Sequence, residues 1–425
     1  MPSISIQRTV ASKNILVAVF AAIISFLTYT SVYAYRKPFT VAEFEGLKYW
    51  GVSYHSLLII CQVLGYTLSK FYGIKFIAEL KRYGRWKAGA VLLGVAWLSL
   101  LFFAITPAPY GMLLFILNGF ALGFMWGIVF SYVEGRRTTD FIGAVMAVSF
   151  IFAGGFTRSV AKWLLLNYHV SENWMPFATG AVFVIPLILF LYLLEKIPFP
   201  DDEDIRSRTL RSPMNGSERK SFLKRFGLGI FLITITYVLL TVMRDVRDNF
   251  MTSMWTELGF GNNFKIFTST ETTTSIIILA LMALLVTVRR NIRALRFIHF
   301  LIIAGFLTAY ISSLLFAYGA LAGPAWMQLT GLGLYMAYIP FNCLFFERLI
   351  GAFKTTGNAG FLIYFIDAFG YLGSTVVIMI KELMQTQVNW VSFYSNAVII
   401  FSVIGIAGSI LSFIYFNKKY RTQNG

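Results

Sequence analysis

The sequence is poor in charged residues, which make up 13% of its 425 positions. Soluble domains carry roughly 25% charged residues, so the polar surface that a soluble chain of this length requires is missing. Apolar residue types account for 57% of the chain, which excludes intrinsic disorder as well. The composition therefore predicts a polytopic α-helical membrane protein.

Cysteine and histidine are also scarce. The two cysteines, Cys61 and Cys343, lie inside apolar runs and predict neither a disulfide framework nor a metal site. The three histidines form none of the ligand spacings of metal sites, and the sequence has no glycine-rich phosphate loop. We therefore predict a protein that is not an enzyme and that holds no metal and no cofactor.

Long apolar runs, in contrast, are abundant. A membrane span needs about 20 mainly apolar residues, and only helices or closed barrels satisfy backbone groups in lipid. Twelve segments are long enough for helical spans and too long for barrel strands: 14–36, 54–79, 87–106, 110–133, 141–166, 174–194, 226–248, 266–288, 294–318, 324–346, 357–382 and 390–416. The predicted fold class is an all-α polytopic membrane protein with 12 transmembrane helices.

The distribution of basic residues predicts the orientation of these helices. The net charge is +17, and Lys and Arg concentrate in alternate connections, as is typical of cytoplasmic loops. Both termini are then cytoplasmic, and the chain is a multi-pass protein of the plasma membrane, the bacterial inner membrane. Because the positive charge reflects topology, we expect the protein to lie in a lipid bilayer and to bind no nucleic acid. We also expect it to be a monomer.

One long polar segment divides the chain into equal halves. Arginine recurs near the outer ends of spans 1 and 7, at Arg36 and Arg244, and a Glu/Arg pair recurs at the ends of spans 4 and 10. Two pseudo-symmetric six-helix bundles of this kind are typical of duplicated secondary transporters. The predicted parts are an N-terminal bundle over 1–194, a cytoplasmic linker over 195–225 and a C-terminal bundle over 226–425.

Charged residues inside the spans mark the candidate site, because a Lys or Arg at the centre of a span costs about 2.5–3.5 kcal/mol to insert. The cations are Arg36, Lys70, Lys75, Arg158, Lys162, Arg244 and Arg247, and the acids are Asp245, Asp248, Glu271 and Asp367. This excess of positive charge predicts a small anionic solute as the ligand. For Lys75 and Lys162, near span ends, the simpler interpretation is snorkelling to lipid headgroups.

Arg36 is the strongest candidate for contact with such an anion. It follows Tyr33 and Tyr29 by three and seven residues, so the three share one helix face. A guanidinium binds phosphate or carboxylate through two parallel hydrogen bonds, and the tyrosine hydroxyls would reach the same anion. The alternative is an interfacial anchor at the end of span 1.

Acidic residues of the second half are candidates for coupling. Arg244 and Asp248 stand four residues apart and are expected to pair on one helix face, while Arg247 has Asp245 and Asp248 as close neighbours. This cluster is either purely structural or part of the coupling machinery. Asp367, near the middle of span 11, either pairs with a cation or carries a proton.

Several motifs resemble those of one transporter family. They are Tyr29-x-x-x-Tyr33-x-x-Arg36-Lys37-x-Phe39, Gly65-Tyr66-x-x-Ser69-Lys70-Phe71, Asn118-Gly119, Tyr338-Ile339-Pro340, Gly357-x-Ala359-Gly360-Phe361 and Phe369-Gly370-Tyr371-Leu372-Gly373. In these residues the chain resembles the major facilitator superfamily, and within it the organophosphate:inorganic-phosphate antiporters, which transport glycerol 3-phosphate or hexose 6-phosphate.

This resemblance implies a substrate site and a mechanism. The residues that would line the anion site by resemblance are Arg36, Lys70, Tyr29, Tyr33, Tyr338 and Tyr371, and we add Arg158 and Arg244 from their depth in the spans. The chain departs from the family at Leu240, where the family has arginine, and at Phe152, where it has histidine.

We therefore predict a secondary active transporter of a small organic anion, a phosphate ester or phosphate among the candidates, that works by alternating access around a central cationic site. Residues at the cytoplasmic ends of spans 4 and 10 would gate it, namely Glu134, Arg136, Glu347 and Arg348. The alternative is a transporter-like membrane receptor that senses an anionic metabolite and signals to a partner. A membrane enzyme or a lipid flippase is a weaker third hypothesis.

Overall fold

Helices dominate the structure. The computed structural model describes residues 4–79, 82–136, 138–201, 204, 216–355, 359–383 and 389–424. Helices α1 to α7 are Ile4–Tyr33, Tyr54–Glu79, Arg82–Ile105, Met112–Gly123, Met125–Ser131, Thr139–Tyr168 and Met175–Glu195. Helices α8 to α15 are Gly216–Asn249, Met251–Glu257, Lys265–Val286, Asn291–Ala317, Gly323–Pro340, Phe346–Phe353, Ala359–Leu383 and Trp390–Asn424.

The all-α polytopic fold predicted from the sequence is confirmed. Among the described residues, ten helical segments are long and apolar enough to cross a membrane. The other two predicted spans correspond to α2 and α14. The molecule is thus a multi-pass membrane protein.

Two predicted spans are not single regular helices. The fourth is divided at Phe124, where α4 ends and α5 begins. The tenth contains Pro340, which lacks an N–H, and the chain passes through a π-helical turn at Phe341–Phe345 before α13 begins. Such π turns inside α-helices occur often at functional sites.

The described chain forms two compact units. The first contains residues 1–39 and 61–209, and the second contains residues 40–60 and 210–425. Residues 40–60 therefore pack with the second unit, although the sequence interpretation assigned them to the N-terminal bundle. Most of the predicted linker, residues 205–215, lies outside the described residues, as does Gly357.

In the first unit, α1 packs against α6 and α7, and α3 packs against α4. Glycines allow α2 and α4 to approach closely. A Cβ atom at Gly65 would collide with the backbone of Ile116, and one at Gly119 would collide with the backbone of Gln62. This contact fixes the part of α2 that carries Tyr66 and Lys70.

In the second unit, α11 packs against α12 and α15, and α8 packs against α14 and α15. A Cβ atom at Gly305 would meet the carbonyl oxygen of Gly333, and a Cβ at Gly333 would meet that of Gly305, so α11 and α12 touch backbone to backbone. Gly370 of α14 similarly accommodates Thr241 of α8. These contacts bring the polar side chains of α8, α12 and α14 together.

Residues 40–60 form a separate substructure of the second unit, which we call the outer segment. It contains a short antiparallel pair, β1 (Lys48–Tyr49) and β2 (Val52–Ser53). The Glu382 carboxylate of α14 accepts hydrogen bonds from the Ser53 backbone N–H at 3.1 Å, the Ser53 hydroxyl at 3.1 Å and the Ser56 hydroxyl at 2.8 Å. The outer segment is thus bound to α14 through one carboxylate.

Candidate functional site

The end of α1 places Arg36 in a tight turn. The backbone N–H groups of Tyr35 and Arg36 bond to carbonyls three residues back, those of Val32 and Tyr33. Pro38 cannot continue an α-helix, because it lacks an N–H and restricts the residue before it. The chain tightens for this reason and then enters a 3₁₀ turn at Pro38–Val41. Arg36 is left partly exposed, whereas Tyr33 is buried.

Arg36 and Lys70 converge on the same aromatic ring. The Arg36 Cζ atom lies 4.2 Å from the centroid of the Tyr66 ring, and the Lys70 Nζ atom lies 4.8 Å from it. Arg36 is also 5.5 Å from the ring of Tyr33. Cations at these distances are attracted by the ring quadrupole. We call Arg36, Tyr66 and Lys70 the basic cluster. Its two cationic side chains are partly exposed, and the Tyr66 ring that both contact is buried.

Two buried amides hold the backbone beneath the basic cluster. The Gln62 Nε2 atom donates to the Arg36 carbonyl at 3.0 Å and to the Asn118 Oδ1 atom at 2.8 Å. Asn118 Nδ2 donates in turn to the carbonyls of Tyr35 at 3.1 Å and Ala96 at 3.0 Å. These bonds join α2, α3 and α4 to the turn after α1 and fix the position of Arg36.

Tyr29 and Tyr33 belong to an aromatic group next to the basic cluster. The Tyr29 ring lies 5.5 Å from Tyr33, 5.2 Å from Trp126 and 5.3 Å from Phe150. Trp126 and Phe150 are 4.8 Å apart, and Phe150 also stacks on Tyr33 at 6.2 Å. We call these four residues the ring cluster. Tyr29 and Tyr33 are buried in it, and Trp126 and Phe150 are partly exposed.

In the second unit, Arg244 pairs with its neighbour Asp245. Its Nη2 and Nε atoms lie 2.5 and 3.1 Å from Asp245 Oδ1. Helical spacing allows an Arg244–Asp248 pair, but the guanidinium contacts Asp245. The reason lies in the tertiary structure, since the guanidinium stacks on the Tyr338 ring of α12 at 4.2 Å and faces Tyr371 of α14 at 6.0 Å.

Two tyrosine hydroxyls connect Tyr338, whose ring contacts Arg244, to Asp367. The hydroxyls of Tyr237 and Tyr338 lie 3.1 Å apart, and the Tyr237 hydroxyl bonds to the Asp367 Oδ1 atom. Because a hydroxyl has one proton, Tyr237 donates to the carboxylate and accepts from Tyr338. The structure thus brings together four of the predicted residues in what we call the tyrosine network: Arg244, Tyr338, Tyr371 and Asp367, with Tyr237 as the additional member.

Arg247 points to a different partner from those expected. Its Nη2 atom donates to Glu271 Oε1 of α10 at 2.7 Å and to the Met327 carbonyl at 3.2 Å. Both side chains of this pair are almost completely buried, at 1% and 2% exposure. A Cβ atom at Gly331 of α12 would lie 2.6 Å from the Arg247 Cζ atom. A side chain at residue 331 would therefore displace the guanidinium.

The remaining predicted residues lie elsewhere. Arg158 is buried within α6. The guanidinium of Arg136 donates to the Pro198 carbonyl, and that of Arg348 donates to Asn291 Oδ1 at 3.1 Å. Glu134 and Glu347 precede these arginines, in the turn after α5 and in α13.

Tyr66 and Tyr237 were missed at the level of sequence, although both had a detectable signal, and Trp126 and Phe150 were missed as well. Tyr66 precedes Lys70 by four residues, which is the spacing of one helix face. Tyr237 precedes Arg244 by seven residues, the same separation as between Tyr29 and Arg36. Glu271 had no such signal as the partner of Arg247, because the two lie on different helices.

Among the described residues, no group of three or more His, Cys, Asp or Glu side chains is arranged to hold a metal ion. The polar groups near the arginines are hydroxyls, single carboxylates and amides. This chemistry suits recognition of charge and transfer of protons.

Comparison with protein families gives one match over most of the chain. A model described as "Family of unknown function (DUF5690)" matches residues 38–419. No curated protein matches the chain.

Solved structures of transporters share the fold. A point mutant of the nucleoside transporter NupG matches with a TM-score of 0.61 and 15% identity, covering 94% of this chain and 99% of that chain. The D-xylose-proton symporter matches with a TM-score of 0.58 and 14% identity, covering 95% of this chain and 97% of that chain. At these identities the similarity establishes only that the chain shares the fold of these two transporters.

Proposed function

We propose that this chain, which belongs to the DUF5690 family of unknown function, is a secondary active transporter of a small organic anion. The anion binds through Arg36 and Lys70 of the basic cluster, and phosphate and phosphate esters are among the candidate substrates. Arg244 is a candidate contact within the second unit. Transport proceeds by alternating access. The shared fold of the two transporter structures supports transport as the class of function.

The observation that carries this proposal is the convergence of two cations on one ring. Arg36 and Lys70 both lie within 4.8 Å of the Tyr66 centroid, and both remain partly exposed. An anion bound at this ring would be attracted by both cations. At an effective dielectric constant of about 20, an oxyanion 4 Å from a cation gains about 4 kcal/mol.

Arg36 and Arg244 each hold a guanidinium over an aromatic ring. The Cζ atom of Arg36 lies 4.2 Å from the Tyr66 centroid, and that of Arg244 lies 4.2 Å from the Tyr338 centroid. Because Nε and Nη2 of Arg244 already bond to Asp245, we assign the guanidinium fork that binds the oxyanion to Arg36. A planar carboxylate or a phosphate accepts two parallel hydrogen bonds from such a fork.

Asp367 is the group that we assign to coupling. In the second unit, Arg244 is neutralised by Asp245, and Arg247 is neutralised by Glu271. Asp367 accepts a hydrogen bond from the hydroxyl of Tyr237, which is a neutral donor. A carboxylate held by a hydroxyl inside a span is suited to take up and release a proton. We assign gating to Glu134 and Arg136, in the turn after α5, and to Glu347 and Arg348, in α13.

Counterflow in proteoliposomes tests the proposal. Vesicles preloaded with an anion such as glycerol 3-phosphate or phosphate should accumulate the labelled anion, and Arg36→Gln and Lys70→Gln should abolish this accumulation. Lys265→Gln is the matched control, because it removes one positive charge from an exposed position. Binding without counterflow would favour the receptor instead, and neither binding nor flux of any anion would refute the proposal.

A further inference from the structure

We propose that the transported anion carries a planar, unsaturated ring, and that the ring cluster holds this part of it. The inference rests on the proposed function, since it concerns the substrate that the basic cluster binds. It narrows the substrate class from any small organic anion to aromatic or conjugated anions, and it separates these from sugar phosphates.

The first argument is that the ring cluster and the basic cluster adjoin at Tyr33. The Tyr33 ring lies 5.5 Å from the Arg36 Cζ atom and 6.2 Å from the Phe150 ring, to which it is nearly parallel at 20°. We place the organic part of an anion held by Arg36 beside these rings. Trp126 and Phe150, which are partly exposed, are the rings available to it.

The second argument is that the side-chain amides of Gln62 and Asn118 already make hydrogen bonds within the protein. Both Nε2 hydrogen bonds of Gln62 go to Arg36 and Asn118, and both Nδ2 bonds of Asn118 go to backbone carbonyls. Asn118 Oδ1 is occupied by Gln62. These amides bond to the backbone of Tyr35 and Arg36 and stabilise the turn that carries Arg36.

The third argument is that three hydroxyl groups near the ring cluster bond to the backbone of their own helix. Thr28 and Ser31 of α1 donate to carbonyls of that helix at 2.7 and 2.9 Å. Ser149 of α6, next to Phe150, donates to the Met146 carbonyl at 2.6 Å. Their protons are thus already engaged.

These three observations point to one kind of ligand. A sugar has many hydroxyls, each of which must find a partner when it leaves water, and a missing partner is costly. Beside Arg36, the rings of Tyr33 and Tyr66 offer apolar faces and edges to a ligand. A planar ring packs against them in offset or edge-to-face geometry, which favours it over a saturated ring of equal size.

A ligand series of matched charge tests the inference on the purified full chain. The probes are phenyl phosphate, cyclohexyl phosphate, glucose 6-phosphate and inorganic phosphate, together with benzoate and cyclohexanecarboxylate. Dissociation constants are measured by calorimetry and checked by the rise in Tm. We expect phenyl phosphate and benzoate to bind about two- to tenfold more tightly than their cyclohexyl counterparts. Glucose 6-phosphate should bind more weakly than either phosphate monoester with an apolar ring.

Variants connect the preference to the ring cluster. Trp126→Leu and Phe150→Leu should each remove the advantage of phenyl over cyclohexyl phosphate while leaving inorganic phosphate binding unchanged. Trp126→Phe should retain part of the advantage, which guards against general misfolding. Trp174→Leu is the control, since this tryptophan is exposed and contacts Phe177 outside the cluster.

The outcomes separate this inference from the function on which it rests. If glucose 6-phosphate binds as tightly as phenyl phosphate, or if the phenyl and cyclohexyl compounds bind equally, the ring assignment is wrong and anion transport still stands. If no anion of either series binds, the proposed function itself fails.

Discussion

Tyr237 of α8 and Asp367 of α14 are joined by a hydrogen bond from the hydroxyl to the carboxylate. Tyr237 also contacts the Tyr338 hydroxyl at 3.1 Å, and the Tyr338 ring supports Arg244. A change of charge at Asp367 is therefore expected to act, through the two hydroxyls, on the tyrosine whose ring contacts Arg244. On the proposed function, we expect a proton on Asp367 and an anion on Arg244 to influence each other.

The first prediction concerns Asp367→Asn, which resembles the protonated acid. We expect uptake driven by a proton gradient to fall at least about tenfold, corresponding to the loss of about 1.4 kcal/mol of coupling. Counterflow, which needs no net proton movement, should persist. Uptake and counterflow are measured in the same proteoliposomes between pH 5.5 and 8. Equal loss of both activities would show that Asp367 has only a structural role.

Tyr237→Phe provides a second measure of the same coupling. The ring is kept, so the stacking on Tyr338 at 5.4 Å is preserved, but the hydroxyl that reaches Asp367 is removed. A buried hydrogen bond to a charged group contributes about 1.5–3 kcal/mol. We expect the pH dependence of uptake to shift, and an unchanged pH profile would contradict the relay.

The second prediction concerns Arg36→Lys. Charge is preserved, but the fork that binds an oxyanion through two hydrogen bonds is lost. One charge-assisted hydrogen bond contributes about 1.5–3 kcal/mol, so the Kd for the anion should rise about ten- to hundredfold. Titration calorimetry measures this value. Lys70→Arg, the reverse exchange within the basic cluster, should preserve anion binding. If anion binding is lost in Lys70→Arg but kept in Arg36→Lys, Lys70 and not Arg36 is the residue that recognises the anion.

The third prediction concerns the buried Arg247–Glu271 pair. Removing one partner leaves an uncompensated charge, so Arg247→Met and Glu271→Met should each lower the free energy of unfolding by about 3–5 kcal/mol. The double variant should recover most of this loss, because a pair of apolar side chains is tolerated where a single charge is not. Denaturant unfolding in detergent gives the double-mutant cycle.

Gly331→Ala tests the same pair without a change of charge. The added methyl group would lie 2.6 Å from the Arg247 Cζ atom, so the guanidinium must move away from Glu271. We expect a loss of stability in the single variant and little effect in the Arg247→Met background. Equal losses in the two backgrounds would mean that Gly331 serves helix packing instead.

Much of the fold and part of the site could be predicted from sequence, for a physical reason. Membrane spans are specified by about 20 local residues, so hydropathy alone located them. Arg36 and Tyr33 lie on one turn, and Lys70 stands out as a cation within an apolar helix. Features determined within a single helix are accessible in this way.

Contacts between residues on different helices could not be predicted from the sequence. Spacing favoured Arg244 with Asp248, but the Tyr338 ring of α12 holds the guanidinium where it reaches Asp245 instead. Glu271 binds Arg247 across two helices, and no local pattern indicates which acid an arginine will meet. The packing of residues 40–60 with the second unit depends equally on contacts distant in sequence.

The final prediction concerns the outer segment and Glu382. This carboxylate accepts three hydrogen bonds from Ser53 and Ser56, and the segment also contacts the second unit through His55, whose Nε2 atom lies 3.3 Å from the Asn249 carbonyl. Glu382→Ala removes the charged acceptor, and each lost bond contributes about 1.5–3 kcal/mol. Local opening should therefore become at least about tenfold more frequent in residues 40–60.

Hydrogen exchange followed by mass spectrometry measures this opening directly. Glu45→Gln is the matched control, because it neutralises an exposed carboxylate within the same segment. Glu382→Ala should speed exchange in β1, β2 and the start of α2 while exchange in α11 and α12 stays constant. Faster exchange throughout the second unit would mean that Glu382 stabilises the whole unit, and no change would mean that His55 alone is sufficient to hold the segment.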